Sequence, residues 1–112
     1  VTPDLDPEDT ALVSLARDAR TLVGAACGAA VRDTDGQTYS ATPSELPSLP
    51  LSALQVAVAM AVSAGAQGLE AAVVVADEVD PDGLAAVHDL GGGGVPVLVV
   101  ELDGSVAGTV TT

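Results

Sequence analysis

Leu12, Leu15, Ala16, Ala19, Leu22 and Val23 recur at helical spacing between polar positions, which predicts an amphipathic helix over about residues 7–23. Asp6 supplies an N-cap, Pro7 suits the first helical position, and Glu8 and Asp9 place negative charge at the positive end of the helix dipole. Gly24 ends the pattern. The run Ala26-Cys27-Gly28-Ala29-Ala30-Val31 then reads as a strand of small residues, and Thr34-Asp35-Gly36 as a hairpin turn. Gln37 to Ala41 is the return strand. The segment TPSELPSLP, Thr42 to Pro50, carries three prolines and reads as an irregular loop, with Ser48 as the cap of the next helix. Leu51 to Gly65, LSALQVAVAMAVSAG, is apolar on nearly every face, the mark of a buried central helix. At roughly 1.5 Å per residue it spans about 22 Å, short of the roughly 20 apolar residues that cross a bilayer. Leu69 to Ala76 is a Val-rich run of the kind buried on both faces of a sheet. A short helix over 81–90, a strand over 95–101, a turn at Asp103-Gly104 and a weak last strand over 105–110 complete the chain.

The order α-β-β-α-β-α-β-β makes this an α/β chain. Strands separated by helices should run parallel, so the sheet is mixed, with about five strands, helices on both faces and a hairpin near each end. Residues 1–112 are expected to form one domain. Almost all of the 48% apolar fraction is Ala, Val and Leu, and Tyr39 is the sole aromatic. Side chains this small bury little area each, so helices must approach closely or share surface with another subunit. The formal charge is −13, with Arg17, Arg20 and Arg32 the only basic residues besides His88. Nucleic-acid binding draws on Lys and Arg, so that class is excluded, and an anionic membrane surface is disfavoured on the same ground. The acidity reads as solubility. One cysteine, Cys27, excludes an intrachain disulfide framework. The first residues, VTPDLDPED, show neither a basic region nor an apolar run, and a cytoplasmic location is expected.

Most polar residues read as ordinary structure. His88 lacks partner ligands and reads as a surface residue. Asp77, Glu78, Asp80 and Asp82 read as solvated loop acids, with Asp80 or Asp82 capping the next helix. Gly91 to Gly94 precedes a strand and lacks a lysine, unlike a phosphate-binding loop. Cys27 reads as a small buried mid-strand hydrophobe, and Ser52 has no histidine beside it to activate it.

Two segments nevertheless carry a pattern. Cys27-Gly28-Ala29-Ala30-Val31-Arg32-Asp33-Thr34-Asp35-Gly36 resembles the V-G-A-A-L-L-x-x-D-G hairpin of the cytidine deaminase family, with Tyr39 as the aromatic after the turn. Ser52-Ala53-Leu54-Gln55, followed by Ala57 and Ala61-Val62-Ser63-Ala64-Gly65, resembles that family's C-A-E-R-x-A-x-x-x-A-V-S-x-G helix. Pro81-Asp82-Gly83-Leu84-Ala85 falls where P-C-G-x-C is expected. The resemblance covers roughly residues 10 to 105 and implies the three-layer cytidine deaminase-like fold.

The resemblance also implies a zinc ion and a proton-shuttling glutamate. Carried over, the first metal ligand falls on Ser52, the glutamate on Leu54, and the two cysteine ligands on Asp82 and Ala85. Zinc takes thiolate, imidazole or carboxylate donors, which serine and alanine do not supply. Leucine transfers no proton, a role worth roughly 10²–10⁴-fold in rate. No catalytic residue, metal or cofactor is therefore expected. Leu54 and its neighbours are instead expected to fill the space of zinc and pyrimidine, since an unpaired buried carboxylate would cost desolvation energy. In Pro43-Ser44-Glu45-Leu46, Glu45 takes the place of the glutamate in the family's N-x-E nucleoside loop, although the asparagine is absent. Glu45 is the one candidate ligand-binding residue. The family's P-Y-S-x-F segment before the first strand is missing between Ala19 and Cys27.

These readings favour a catalytically inactive cytidine deaminase-like protein, acting as a self-associating or partner-binding scaffold. Its expected partners are further copies of itself, as a dimer or tetramer through the central helix, or an unidentified protein. The alternative is a nucleoside or nucleotide sensor, and an active zinc-dependent deaminase ranks last.

Overall fold

The computed structural model describes residues 5–112. Its elements are α1 (Pro7–Val23), β1 (Gly28–Asp33), β2 (Thr38–Ala41), β3 (Ser44–Leu46), β4 (Leu49–Leu51), α2 (Ala53–Ser63), β5 (Leu69–Val75), α3 (Pro81–Gly91), β6 (Pro96–Val100) and β7 (Val106–Thr111). Five strands form one mixed sheet in the order β2-β1-β5-β6-β7, as the α/β pattern predicts. β1 is antiparallel to both neighbours, β5 and β6 are parallel across α3, and β6 and β7 close the sheet as a hairpin. Helices cover both faces of the sheet.

Alternation along the central strands divides the core. Ala30, Ala71, Val73, Val75, Leu98 and Val100 meet Leu12, Val13 and Ala16 of α1. Their neighbours Ala29, Val31, Ala72, Val74 and Val97 face Leu54, Ala57, Val58 and Ala61 of α2 and Val87 of α3. Successive strand residues point to opposite faces, so a continuous apolar run serves both layers at once. The ends of α1 follow their residues: Asp6 accepts from the Glu8 amide at 2.8 Å, and Gly24 adopts the left-handed conformation at φ 71° that favours glycine.

Four expectations are corrected. Residues 42–50 are not an irregular loop, because β3 and β4 pair antiparallel there as a small separate hairpin. Each strand of a two-stranded ribbon has a free edge, so proline's missing N–H need not break the pairing, and Pro50 lies opposite Glu45. Ser48 consequently lies in the turn, and the cap of α2 is Ser52. Cys27 is half-buried just ahead of β1, not within a strand. Most consequentially, α2 is not buried all round. Ala53, Leu54, Ala57, Val58 and Ala61 are buried, whereas Met60 and Val62 are 42% and 56% exposed. The sheet offers one face to pack against, so an all-apolar helix leaves half of its apolar surface in water. Among the described residues no helix is long and apolar enough to cross a membrane.

Among the described residues, the one buried acid lies in the β1–β2 hairpin. Asp33 is 2% exposed and accepts from the amides of Asp35 and Gln37 at 2.9 Å and from the Tyr39 hydroxyl at 2.9 Å. Burial works to raise its pKa, but these hydrogen bonds outweigh burial and hold the carboxyl below its ordinary value of 3.8. The same bond, then burial, push the Tyr39 phenol above 10.0. A lowered carboxyl pKa stabilises the fold above the unfolded value and loses that contribution as pH falls through the folded value. A raised phenol pKa stabilises below the unfolded value and is lost as pH rises through the folded one. Tyr39→Phe should therefore lower Tm at neutral pH, and the gap from wild type should close both in acid below 3.8 and in base above 10.0. Thermal melts of both proteins across pH check this, and a gap that stays constant would show that the hydrogen bond is not its source.

Candidate functional site

The residues singled out by sequence gather, in part, at the end of the sheet where α2 and α3 begin. The first turn of α2 is held by a reciprocal pair of hydrogen bonds. The Gln55 amide donates to Ser52 Oγ at 3.1 Å, and the Ser52 amide donates to Gln55 Oε1 at 2.9 Å. This capping box satisfies two amides that helix geometry leaves without partners. The hydroxyl of Ser52 is thus occupied in holding its own helix.

α3 starts on Asp80, with Pro81 in its first turn. The Asp80 carboxylate accepts from the Gly83 amide, and the Leu84 amide donates to the Asp80 carbonyl at 3.2 Å. Of the two acids offered as this cap, Asp80 serves, while Asp82 is exposed. Gly83 is buried, and a Cβ added there would lie 3.0 Å from Leu54 Cβ and 2.7 Å from Asp80 Oδ2. Leu54 is fully buried at this contact. The tertiary structure therefore brings Leu54 together with the first turn of α3. Asp82 and Ala85 are both exposed.

Glu45 stands exposed on β3, opposite Pro50. Cys27 lies within electrostatic reach of it. Burial pushes the thiol pKa up, Asp80 and Glu45 push the same way, and Arg20 only partly offsets them. The thiol therefore stays protonated at neutral pH, which makes it a weak nucleophile and a weak metal ligand. His88 is exposed, as expected, and its carbonyl accepts the Gly92 amide at 2.7 Å.

The donor set does not fit zinc. Ser52 is committed to its cap, Leu54 and Ala85 have no donor atom, and Asp82 alone offers a carboxylate. Three protein ligands are the minimum for a catalytic zinc. Among the described residues no group of three or more His, Cys, Asp or Glu side chains is placed to hold a metal ion.

Sequence reasoning missed two features. The Gly83 notch depends on a contact with Leu54 across nearly thirty residues of chain, and only the D-P-x-G start of α3 hints at it. The second is a groove of about 610 Å³ along the outer side of α2, lined by Tyr39, Leu49, Leu51, Val56 and Met60 among others. Its signal was present in the apolar character of every face of α2.

Comparison with known proteins places this architecture. A sequence search of curated proteins finds no match. In solved structures, a cytidine deaminase from Burkholderia pseudomallei superposes with a TM-score of 0.76 at 21% identity, covering 90% of each chain. A cytidine deaminase from Mycobacterium leprae gives 0.69 at 17% identity, covering 95% of this chain and 94% of the other. The enzyme from Mycobacterium tuberculosis gives 0.65 at 22% identity, covering 84% and 85%. This near end-to-end likeness to enzymes overturns the expectation of an inactive scaffold. It gives no support to a scaffold role. The profile of the family described as cytidine deaminase-like matches residues 5–104. With hairpin, central helix and mixed sheet in the family's order, the chain belongs to the cytidine deaminase-like family.

Proposed function

We propose that this chain acts on the ligand class of its relatives, pyrimidine nucleosides and close analogues, as a hydrolase-type domain working in a homo-oligomer. The observation that carries this reading is the likeness to a cytidine deaminase over 90% of both chains. An unrelated binding module would have no reason to keep the hairpin, the central helix and the strand order together. Glu45, exposed on β3, is the residue assigned to contact the nucleoside. The proposal concerns ligand and reaction class, and no step in it passes through zinc, for which Ser52, Asp82 and Ala85 leave one carboxylate where three ligands are needed. A single domain over residues 1–112 and a cytoplasmic location belong to the same reading.

Cytidine, deoxycytidine and uridine should each be titrated into the purified chain, with Tm and ammonia release followed in the same samples. A bound ligand at 100 times its Kd adds about 2.7 kcal/mol to stability, which is several degrees in Tm for a domain of this size. The expected result is a saturable rise in Tm with a cytosine nucleoside, weakened by Glu45→Ala. Absence of both a shift and ammonia release across the panel would sink the reading.

The oligomer rests on α2. Met60 is exposed in a groove walled by Leu49 and Leu51 from the β3–β4 hairpin, and Val62 is exposed on the α3 side of the same helix, beside Ala86 and Leu90. An exposed apolar patch on a chain of charge −13 is stable in water only at a cost, and a second copy offers the same uncharged surface. Light scattering should return a multiple of 10.9 kDa. Met60→Asp should return 10.9 kDa, because a carboxylate would be buried unpaired in the contact. A wild-type mass of 10.9 kDa at micromolar concentration would exclude the assembly.

A further inference from the structure

The cytidine deaminase fold brings two helix starts to one point, and something must hold them there. A metal ion bound by residues from both helices is one solution. We infer that this chain uses another: the starts of α2 and α3 are locked without metal, by Leu54 seated on the notch at Gly83. This goes beyond the proposed function and does not depend on it.

Each component is visible in the residues. Leu54 is fully buried in the first turn of α2, so its side chain is spent on packing. Gly83 is buried in the first turn of α3, and a Cβ there would press on Leu54 Cβ at 3.0 Å. The hydrogen atom of glycine is what lets the two helices approach this closely. Asp80 fixes the notch from the other side, because its carboxylate holds the Gly83 amide and would itself lie 2.7 Å from an added Cβ. Ser52 completes the arrangement by holding the α2 turn that presents Leu54. A Leu–Gly contact, a serine cap and an aspartate cap thus do the joining. Of the positions that a metal would need, Ser52 is used in this lock, Ala85 has no donor atom, and Asp82 is left as a single exposed carboxylate.

The two solutions differ in their physical signatures. A metal joint requires deprotonated ligands, so it depends on pH and fails when a chelator removes the ion. A packed joint is indifferent to a chelator and is sensitive to volume, because added methyl groups in a close-packed contact force the backbone apart.

The test uses the full chain. It is dialysed against zinc chloride and then against zinc-free buffer, and metal content and Tm are measured with and without EDTA. The expected result is far less than one zinc per chain and a Tm that neither EDTA nor zinc moves. Gly83→Ala should lower Tm by about 5–10 °C, and Leu54→Ala should lower it as well. Asp82→Asn, which removes the one carboxylate at a ligand position, should leave Tm and metal content unchanged. Gly83→Ala failing to fold would agree with the lock, and Asp82→Asn then remains as the discriminating variant. One zinc retained per chain, a fall in Tm with EDTA, a loss of stability in Asp82→Asn, or a wild-type Tm in Gly83→Ala would each overturn it. Nucleoside binding is read separately, so failure of the lock and failure of the proposed function are told apart.

Discussion

Burial of β5 on both faces is the constraint from which the rest of this structure follows. Ala71, Val73 and Val75 point toward α1, while Ala72 and Val74 point toward α2 and α3. A strand covered on both sides needs helices on both sides, and parallel connection to β6 needs a crossover, which α3 supplies. The side chains involved are almost all Ala and Val. Small side chains leave no slack, so the layers must lie close, and α1 and α2 meet the sheet partly through alanines: Ala16 of α1 and Ala57 and Ala61 of α2 are fully buried beside Leu12 and Leu54.

Charge is distributed as unevenly as size. The three arginines all lie on the α1 side or at its border, and each is engaged. Arg32 is a 12% exposed side chain reaching Asp9 at 3.1 Å and Glu8 and Glu70 at 3.8 Å, so it ties the start of α1 to β1 and β5. Arg20 donates to the Ala26 carbonyl at 3.2 Å, and Arg17 lies over the turn at Asp103 and Gly104. The α2–α3 layer carries no arginine. Its exposed apolar surface is therefore bordered by acids and neutral groups, which suits an uncharged contact and disfavours a polyanion.

The end of the molecule where α2 and α3 begin shows how one fold can be closed by different chemistry. Two helix starts meet there, and their amides need acceptors. Ser52 and Asp80 supply these from within their own helices. With the caps satisfied locally, the space between the helices is left to packing, and Leu54 takes it. The likeness to cytidine deaminases over nearly the whole chain shows that the fold is kept while its helix starts are closed in this way.

Much of the fold was legible in the residues. The periodicity of Leu12, Leu15 and Ala16, the caps at Asp6 and Gly24, and the two-sided strand at β5 all arise from local rules of spacing and conformation, and they place α1 and β5 with the observed ends or within a residue of them. What was not legible depended on contacts between distant segments. Whether Pro50 interrupts a strand depends on whether its free edge faces a partner. Whether Val62 is buried depends on how much of the helix the sheet can cover, which an all-apolar sequence does not reveal. Whether Gly83 is a flexible link or a notch depends on Leu54 arriving opposite it. Local sequence determined the elements and their caps, because those are settled within a few residues. The tertiary structure alone decided which apolar face stays in water and what joins the two helix starts, because both are set by surfaces meeting across the fold.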